Sequence, residues 1–155
     1  MPQWLKRLKT DATNCAISLL TRREHGAVEL VRKLEIKGYP LEEAKDALKT
    51  CLRLGFQSDE RFVGQLCRAR IRQGYGPIRI REELLHLKVD VVLITTALEL
   101  ESDHWLERAR EIRAKKYKTS SESSFKALQK QKQFLYYRGF SAETIAQVFT
   151  MRDES

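Results

Sequence analysis

The chain has 155 residues, of which 42% are hydrophobic and 32% charged, so it carries enough apolar residues to build a folded core. This composition excludes an intrinsically disordered chain, a collagen-like chain and a disulfide-rich scaffold. The 29 Lys and Arg residues against 21 Asp and Glu give a net charge of +8, which favours a polyanionic partner such as nucleic acid or an acidic protein surface.

The cysteines and the apolar runs predict the compartment. Cys15, Cys51 and Cys67 lack CxxC spacing and stand in apolar stretches, which indicates small core residues with inert thiols in a reducing environment. No run of about 18 apolar residues predicts a transmembrane helix, and the N-terminus does not have the pattern of a secretory signal. We therefore expect a cytoplasmic protein with no membrane contact.

A repeat of about fifty residues organises the chain. The apolar positions of one copy recur in the others after shifts of 50 and 51 residues. The equivalent sets are Leu34, Leu84 and Leu135; Tyr39, Val89 and Phe140; Ala44, Ile94 and Ile145; and Leu48, Leu98 and Phe149. Helical spacing of these positions outweighs any strand pattern, even in the β-branched stretch 89–96.

In the first copy, apolar spacing predicts a helix over residues 12–20, and Thr21-x-x-Glu24 is typical of a capping box that starts the second helix. Gly38 suits the left-handed conformation that ends that second helix. Pro40 is then well placed at the start of the third helix.

In the second copy, Ser58 or Asp59 is predicted to cap the first helix. The glycine-rich segment 72–77 lacks the Gly-Lys-Ser/Thr of a phosphate loop, so it predicts a tight turn between helices, with unusual backbone angles at Gly74 and Gly76 and a new helix from Pro77.

Lys88 then stands where the other copies have glycine. This substitution weakens the helix stop unless the helix ends differently or Lys88 adopts the strained left-handed conformation. Asp90 is well placed to cap the third helix of the copy.

In the third copy, Ser102 or Asp103 precedes the first helix, an exposed loop is predicted near 119–124, and Gly139 and Ser141 repeat the stop and start signals. The predicted architecture is therefore all-α, with three tandem three-helix repeats that form an elongated, curved body. The predicted boundaries are an N-terminal extension at 1–11, repeat 1 at 12–57, repeat 2 at 58–100 and repeat 3 at 101–151.

The sequence offers no constellation for catalysis. His25, His86 and His104 are scattered and are predicted to be surface or capping residues, and no set of His, Cys and carboxylates has metal-ligand spacing. Adjacent carboxylates stand near helix starts, where they favour the helix dipole. We therefore predict no catalytic residue, no metal site, no cofactor and no enzymatic activity.

Three basic stretches are the candidate partner-binding or DNA-binding regions. For the first of them, residues 61–81, a solvated helix face is an equally good interpretation. Residues 61–81 contain six arginines and no acidic residue, and residues 123–142 are also free of acids. Phe134 and Phe140 fit the core pattern, and only one of Tyr136 and Tyr137 need be exposed. The candidate binding residues are Arg68, Arg70, Arg72, Arg79, Arg81, Arg113, Lys115, Lys116, Lys130, Lys132 and Arg138.

Several motifs in fixed order resemble the RecX regulatory proteins of bacteria, over roughly residues 15–150. Lys88 departs from the glycine that the family tends to have there. The motifs are Thr21-Arg-Arg-Glu-His25, Glu29-Leu30-x2-Lys33-Leu34, Asp59-Glu-Arg61-Phe62, Arg72-x-Gly74-Tyr-Gly-Pro77-x2-Ile80-x2-Glu83-Leu84 and Phe134-Leu-x2-Arg138-Gly139-Phe140.

The resemblance implies a regulator that binds the recombinase RecA or RecA–DNA filaments and most often inhibits strand exchange, ATP hydrolysis and the SOS response. It implies no catalytic residue. We expect a monomer with at most weak, non-specific DNA contact. Direct sequence-independent DNA binding is the alternative function, and the acidic or apolar third helices argue against a helix that reads the major groove.

Overall fold

The computed structural model describes residues 10–118 and 124–150. Within these ranges the predicted all-helical class is confirmed, with nine α-helices, one short 3-10 helix at Ser102–His104 and no strand. Most of the predicted N-terminal extension, residues 119–123 of the predicted loop, and Met151 lie outside the described residues. The helices are α1 (Ala12–Arg22), α2 (Ala27–Ile36), α3 (Leu41–Arg53), α4 (Asp59–Arg72), α5 (Pro77–His86), α6 (Val91–Glu99), α7 (Trp105–Lys116), α8 (Phe125–Tyr137) and α9 (Ala142–Thr150).

Equivalent apolar positions are buried in all three repeats. Leu34, Leu84 and Leu135 are completely buried on α2, α5 and α8. The positions equivalent to Tyr39 and to Ala44 are buried in all three copies. The tandem three-helix repeat predicted from sequence self-similarity is thus confirmed.

The second helix of each repeat ends in a left-handed residue, as the stop signals predict. Gly38 has φ 109° and Gly139 has φ 98°. Lys88, which replaces the glycine in the second repeat, is forced into the same conformation at φ 63°. Because a Cβ atom crowds the backbone there, Lys88 is a strained residue.

The third helices start where the sequence predicts. Pro40 precedes α3, and Asp90 and Ser141 accept hydrogen bonds from the amides of Val92 (2.8 Å) and Thr144 (3.1 Å). These side chains satisfy amide groups that have no partner inside the helix.

The start of α2 differs from its prediction. Thr21 is the penultimate residue of α1, and its hydroxyl donates to the carbonyl of Ser18 at 2.7 Å, so Thr21-x-x-Glu24 is not a capping box. The first amide of α2, that of Ala27, instead donates to the Asp59 carboxylate at 2.8 Å. The cap therefore comes from 32 residues further along the chain, which a local pattern cannot reveal.

The described residues group into two compact units that do not coincide with the repeats. Unit 1 contains the chain up to Gln65 together with Leu85–Leu93, and unit 2 contains Leu66–Leu84 together with the chain from Ile94 onward. The second repeat therefore contributes residues to both units.

His25 lies at the centre of a polar junction in unit 1 and is only 1% exposed, so the prediction of a surface or capping histidine is wrong for this residue. Its Nδ1 lies 3.1 Å from the carbonyl of Arg23, and its Nε2 lies 2.9 Å from Nζ of Lys33. Its own carbonyl accepts a hydrogen bond from Gln57. These contacts satisfy a buried polar ring, whereas His86 and His104 are exposed as predicted.

Candidate partner-binding surface

The turn between α4 and α5 positions a basic surface of unit 2. Gly74 has φ 88°, which confirms the unusual backbone predicted for it. Gly76 has no positive φ, so the same prediction is wrong there. Glycine is needed at position 76 for space, because a Cβ atom would lie 2.5 Å from the carbonyl oxygen of Gly139. Two hydrogen bonds fasten the turns, from Gly76 N to Arg138 O (2.7 Å) and from Ile78 N to Gly139 O (2.9 Å).

This close approach builds a cluster of two arginines around one aromatic ring, which we name the Tyr75 cluster (Tyr75, Arg79 and Arg138). The guanidinium carbon of Arg79 lies 4.0 Å from the ring centroid of Tyr75, and that of Arg138 lies 5.2 Å from it. Arg138 also donates to the carbonyl of Gln73 at 3.0 Å. The ring therefore contacts both guanidinium groups, and the Gln73 carbonyl positions that of Arg138.

Further basic residues stand beside the Tyr75 cluster. Arg138 also lies over the ring of Phe134, with 5.2 Å between its guanidinium carbon and the centroid. Nζ of Lys116 lies 5.8 Å from the same centroid, and Tyr117 packs edge-on against the ring. Cations and aromatic rings therefore alternate along this part of unit 2, a composition suited to phosphate groups, nucleobases or an acidic protein surface.

A second cluster, the Phe149 cluster, consists of Arg113, Lys132 and Phe149. The guanidinium carbon of Arg113 lies 4.1 Å from the Phe149 centroid, and Nζ of Lys132 lies 5.3 Å from it. Nε of Arg113 donates to the side-chain oxygen of Gln131 at 2.7 Å. Here the aromatic ring belongs to the repeated apolar pattern and is half-buried, so the cations cover the edge of the core.

Two arginines of the stretch 61–81 form ion pairs with carboxylates. Arg70 binds Glu83 through two nitrogens at distances of 2.6 to 2.9 Å, and this hydrogen bond to the carboxylate raises the pKa of Arg70 above its ordinary value. Arg61 pairs with Glu24 at 2.9 Å. The paired side chains fasten α4 to neighbouring segments, so they are less available to a partner.

The remaining candidates differ in what surrounds them. Arg81 is half-buried and lies 3.4 Å from the hydroxyl of Thr95. Arg79 and Arg138, in contrast, make no ion pair with any carboxylate of the described residues. The candidates that are exposed and that belong to neither cluster are Arg68, Arg72, Lys115, Lys116 and Lys130. Of these, Lys116 stands beside the Tyr75 cluster, over the ring of Phe134.

Sequence reasoning missed the aromatic members of these clusters. Tyr75 is the central residue of one cluster, and its position inside a glycine-rich turn between two basic stretches is the signal that marks it. Phe140 is buried as predicted, and Tyr136 and Tyr137 are both exposed, at 63% and 64%, although the sequence pattern required exposure of only one of them.

The described residues contain no group of three or more His, Cys, Asp and Glu that could hold a metal ion. Cys51 and Cys67 are buried free thiols, and burial raises the pKa of Cys67 to about 11, so this thiol stays protonated at neutral pH. No helix in the ranges 10–118 and 124–150 has the length and apolar character needed to cross a membrane.

A tandem series of three-helix modules that carries alternating cations and aromatic rings is typical of a macromolecule-binding protein. Models of three RecX domains match the chain in order: the first three-helix domain at residues 12–51, the second at 58–98 and the third at 102–149. The chain therefore belongs to the RecX family.

Relatives with the same arrangement support this assignment. "Regulatory protein RecX" of Legionella pneumophila (strain Corby) is 46% identical over 140 residues, covering 90% of this chain and 93% of the relative. The protein of that name from Vibrio campbellii is 35% identical over 99% of both chains. The crystal structure of RecX from Lactobacillus salivarius has the same fold, with a TM-score of 0.79 at 21% identity over 93% of this chain and 96% of that one.

Proposed function

We propose that the protein is a non-catalytic cytoplasmic regulator that binds RecA or RecA–DNA filaments as a monomer and inhibits RecA. Strand exchange, ATP hydrolysis, co-protease activity and the SOS response would all fall with the loss of active filament. The proposal rests on relatives named as regulatory proteins RecX and on the basic surface of unit 2.

The Tyr75 cluster is the single observation that carries the proposed binding surface. Two guanidinium groups lie over one ring, and no carboxylate of the described residues forms an ion pair with them. An acidic protein surface or a phosphate backbone would supply the missing negative charge. Binding should therefore weaken as salt rises.

The test is a titration of RecA ATPase activity and filament length on single-stranded DNA at low salt. The variant Arg79→Gln/Arg138→Gln removes both charges, and we expect it to need about tenfold more protein for half-inhibition, equivalent to about 1.4 kcal/mol of binding free energy. Arg32→Gln is the matched control, because Arg32 is an exposed arginine on α2 and makes no ion pair within the described residues. No effect of excess wild-type protein on RecA would refute the proposal.

Sequence-independent binding of single-stranded DNA is a second candidate function. The exposed rings of Tyr136 and Tyr137 support it, because they stand in a stretch without acidic residues, where bases could stack beside lysines. Fluorescence anisotropy with an oligo-dT strand in the absence of RecA separates the two functions. This candidate would be favoured by two results together. The protein should bind the DNA tightly, with binding abolished in Tyr136→Ala/Tyr137→Ala, and it should have no effect on RecA when DNA is absent.

A further inference from the structure

A groove runs between α8 and α9 in the third repeat and encloses about 650 Å³. Lys126, Lys130 and Lys132 of α8 line it together with Tyr136, and α9 contributes Ile145 and Ala146. The groove lies within unit 2 and shares only Lys132 with the two cation–π clusters.

The charge of the groove is of one sign. Three lysines line it, and no Asp or Glu does. Lys126 and Lys130 are one helical turn apart and exposed, and neither forms an ion pair within the described part of the chain. A negatively charged occupant would neutralise like charges that now repel each other across one turn of α8.

The wall formed by α9 is apolar and aliphatic. Ala142, Ile145 and Ala146 face the groove, and Tyr136 closes one side with a ring that is 63% exposed. Aliphatic side chains of a partner would gain from burial against this wall. A nucleic-acid strand would meet one aromatic ring and no stacking platform of successive rings, so the groove favours a peptide over a nucleic acid.

We infer that the α8–α9 groove binds an acidic amphipathic helix of a partner protein, with aliphatic side chains on the α9 wall and carboxylates beside Lys126 and Lys130. Grooves that bind amphipathic helices have an apolar surface for the apolar face of the helix. Here the α9 wall provides that surface, and the lysines of α8 lie beside it. The inference deepens the proposed function, since it names the kind of partner segment that this surface recognises.

The test uses the full chain and a fluorescent synthetic peptide about four turns long, with leucines on one helix face and glutamates on the other. A peptide with lysines in place of the glutamates and an oligo-dT strand are the comparison ligands. We expect only the acidic peptide to bind and its binding to weaken about tenfold in Lys126→Glu/Lys130→Glu and in Ala146→Glu. Lys45→Glu, at an exposed lysine of α3, should leave its affinity unchanged.

Circular dichroism verifies that each variant is folded. Acidic-peptide binding that survives both groove variants, or equal binding of the lysine peptide, would overturn the inference, as would preferential binding of oligo-dT in the groove. Because this assay contains no RecA, its failure is distinguishable from failure of the proposed function. If the protein inhibits RecA but does not bind the acidic peptide, only the groove inference is refuted. If it binds the peptide but has no effect on RecA, only the proposed function is refuted.

Discussion

The amide of Gly76 donates a 2.7 Å hydrogen bond to the carbonyl oxygen of Arg138, 62 positions further along the chain. This bond brings the turn of the second repeat against the turn of the third, and it places Tyr75 between two arginines. The candidate binding surface therefore depends on a backbone contact that only glycine permits.

Gly76→Ala should destabilise the protein by about 2–3 kcal/mol, because the new Cβ would lie 2.5 Å from a backbone carbonyl oxygen that cannot move freely. Urea denaturation measures the free energy of unfolding. Gly55→Ala is the matched control: its φ is 77° but no atom lies within 4 Å of its Cβ, so we expect only the conformational cost of about 1 kcal/mol. Equal losses in the two variants would contradict the steric explanation.

Lys88→Gly should stabilise the protein by about 1 kcal/mol, because glycine removes the Cβ strain of the left-handed conformation at φ 63°. Lys37→Gly provides the comparison, since Lys37 precedes Gly38 with φ −73° and gains nothing from glycine. That control should lose about 0.5–1 kcal/mol. If Lys88→Gly unfolded at a lower urea concentration than the wild type, the left-handed conformation of Lys88 would not be a source of strain.

Acid should destabilise the fold through His25. Burial is the main cause that lowers the pKa of this ring below its ordinary 6.5, and the charges of Arg23 and Lys33 lower it further, while the hydrogen bond to the Arg23 carbonyl and the charge of Glu29 oppose them. Because the folded protein holds the ring neutral, its contribution to stability is complete above pH 6.5 and is lost as the pH falls below that value.

The free energy of unfolding of the wild type should therefore fall more between pH 7.5 and pH 5.5 than that of His25→Gln. His86→Gln serves as the control, because it removes an imidazole that is exposed and makes none of the contacts of His25. If the free energy of unfolding depended on pH in the same way in the wild type and in His25→Gln, His25 would not be the cause of the loss of stability in acid.

The Arg70–Glu83 pair should contribute about 0.5–1 kcal/mol to stability in a double-mutant cycle with alanine, because its bidentate contact is about 70% shielded from solvent. The Arg110–Glu107 pair, at 3.7 Å and more exposed, should couple by about 0–0.3 kcal/mol. If Arg70→Ala weakened RecA inhibition without loss of stability, Arg70 would belong to the binding surface and not to the support of α4.

Much of the fold was predictable from the sequence because its signals are local. Apolar spacing within each copy indicates that Leu34, Leu84 and Leu135 are buried, and Gly38 and Gly139 indicate helix ends, because both signals act between residues a few positions apart. The misplaced capping box is the counterexample, because the true cap of α2 is the carboxylate of Asp59.

The candidate site was predictable only in part. Charge runs along the sequence draw attention to Arg79 and Arg138, which the fold brings together over Tyr75, but they give equal weight to Arg70, whose charge is neutralised by Glu83. A cation is paired when the fold brings a carboxylate within about 4 Å of it. The spacing of residues along the sequence does not give that distance.

Hydrophobic periodicity and helix-end residues were enough to predict the three-helix repeat and the burial of positions such as Leu34, because both are set by near neighbours along the chain, and the order of the motifs indicated the family. That Gly76 must be small, that His25 is buried and that Tyr75 lies between Arg79 and Arg138 became visible only in the folded structure. These relationships join residues that are distant in sequence, so they arise only when packing of the helices fixes the distances between them.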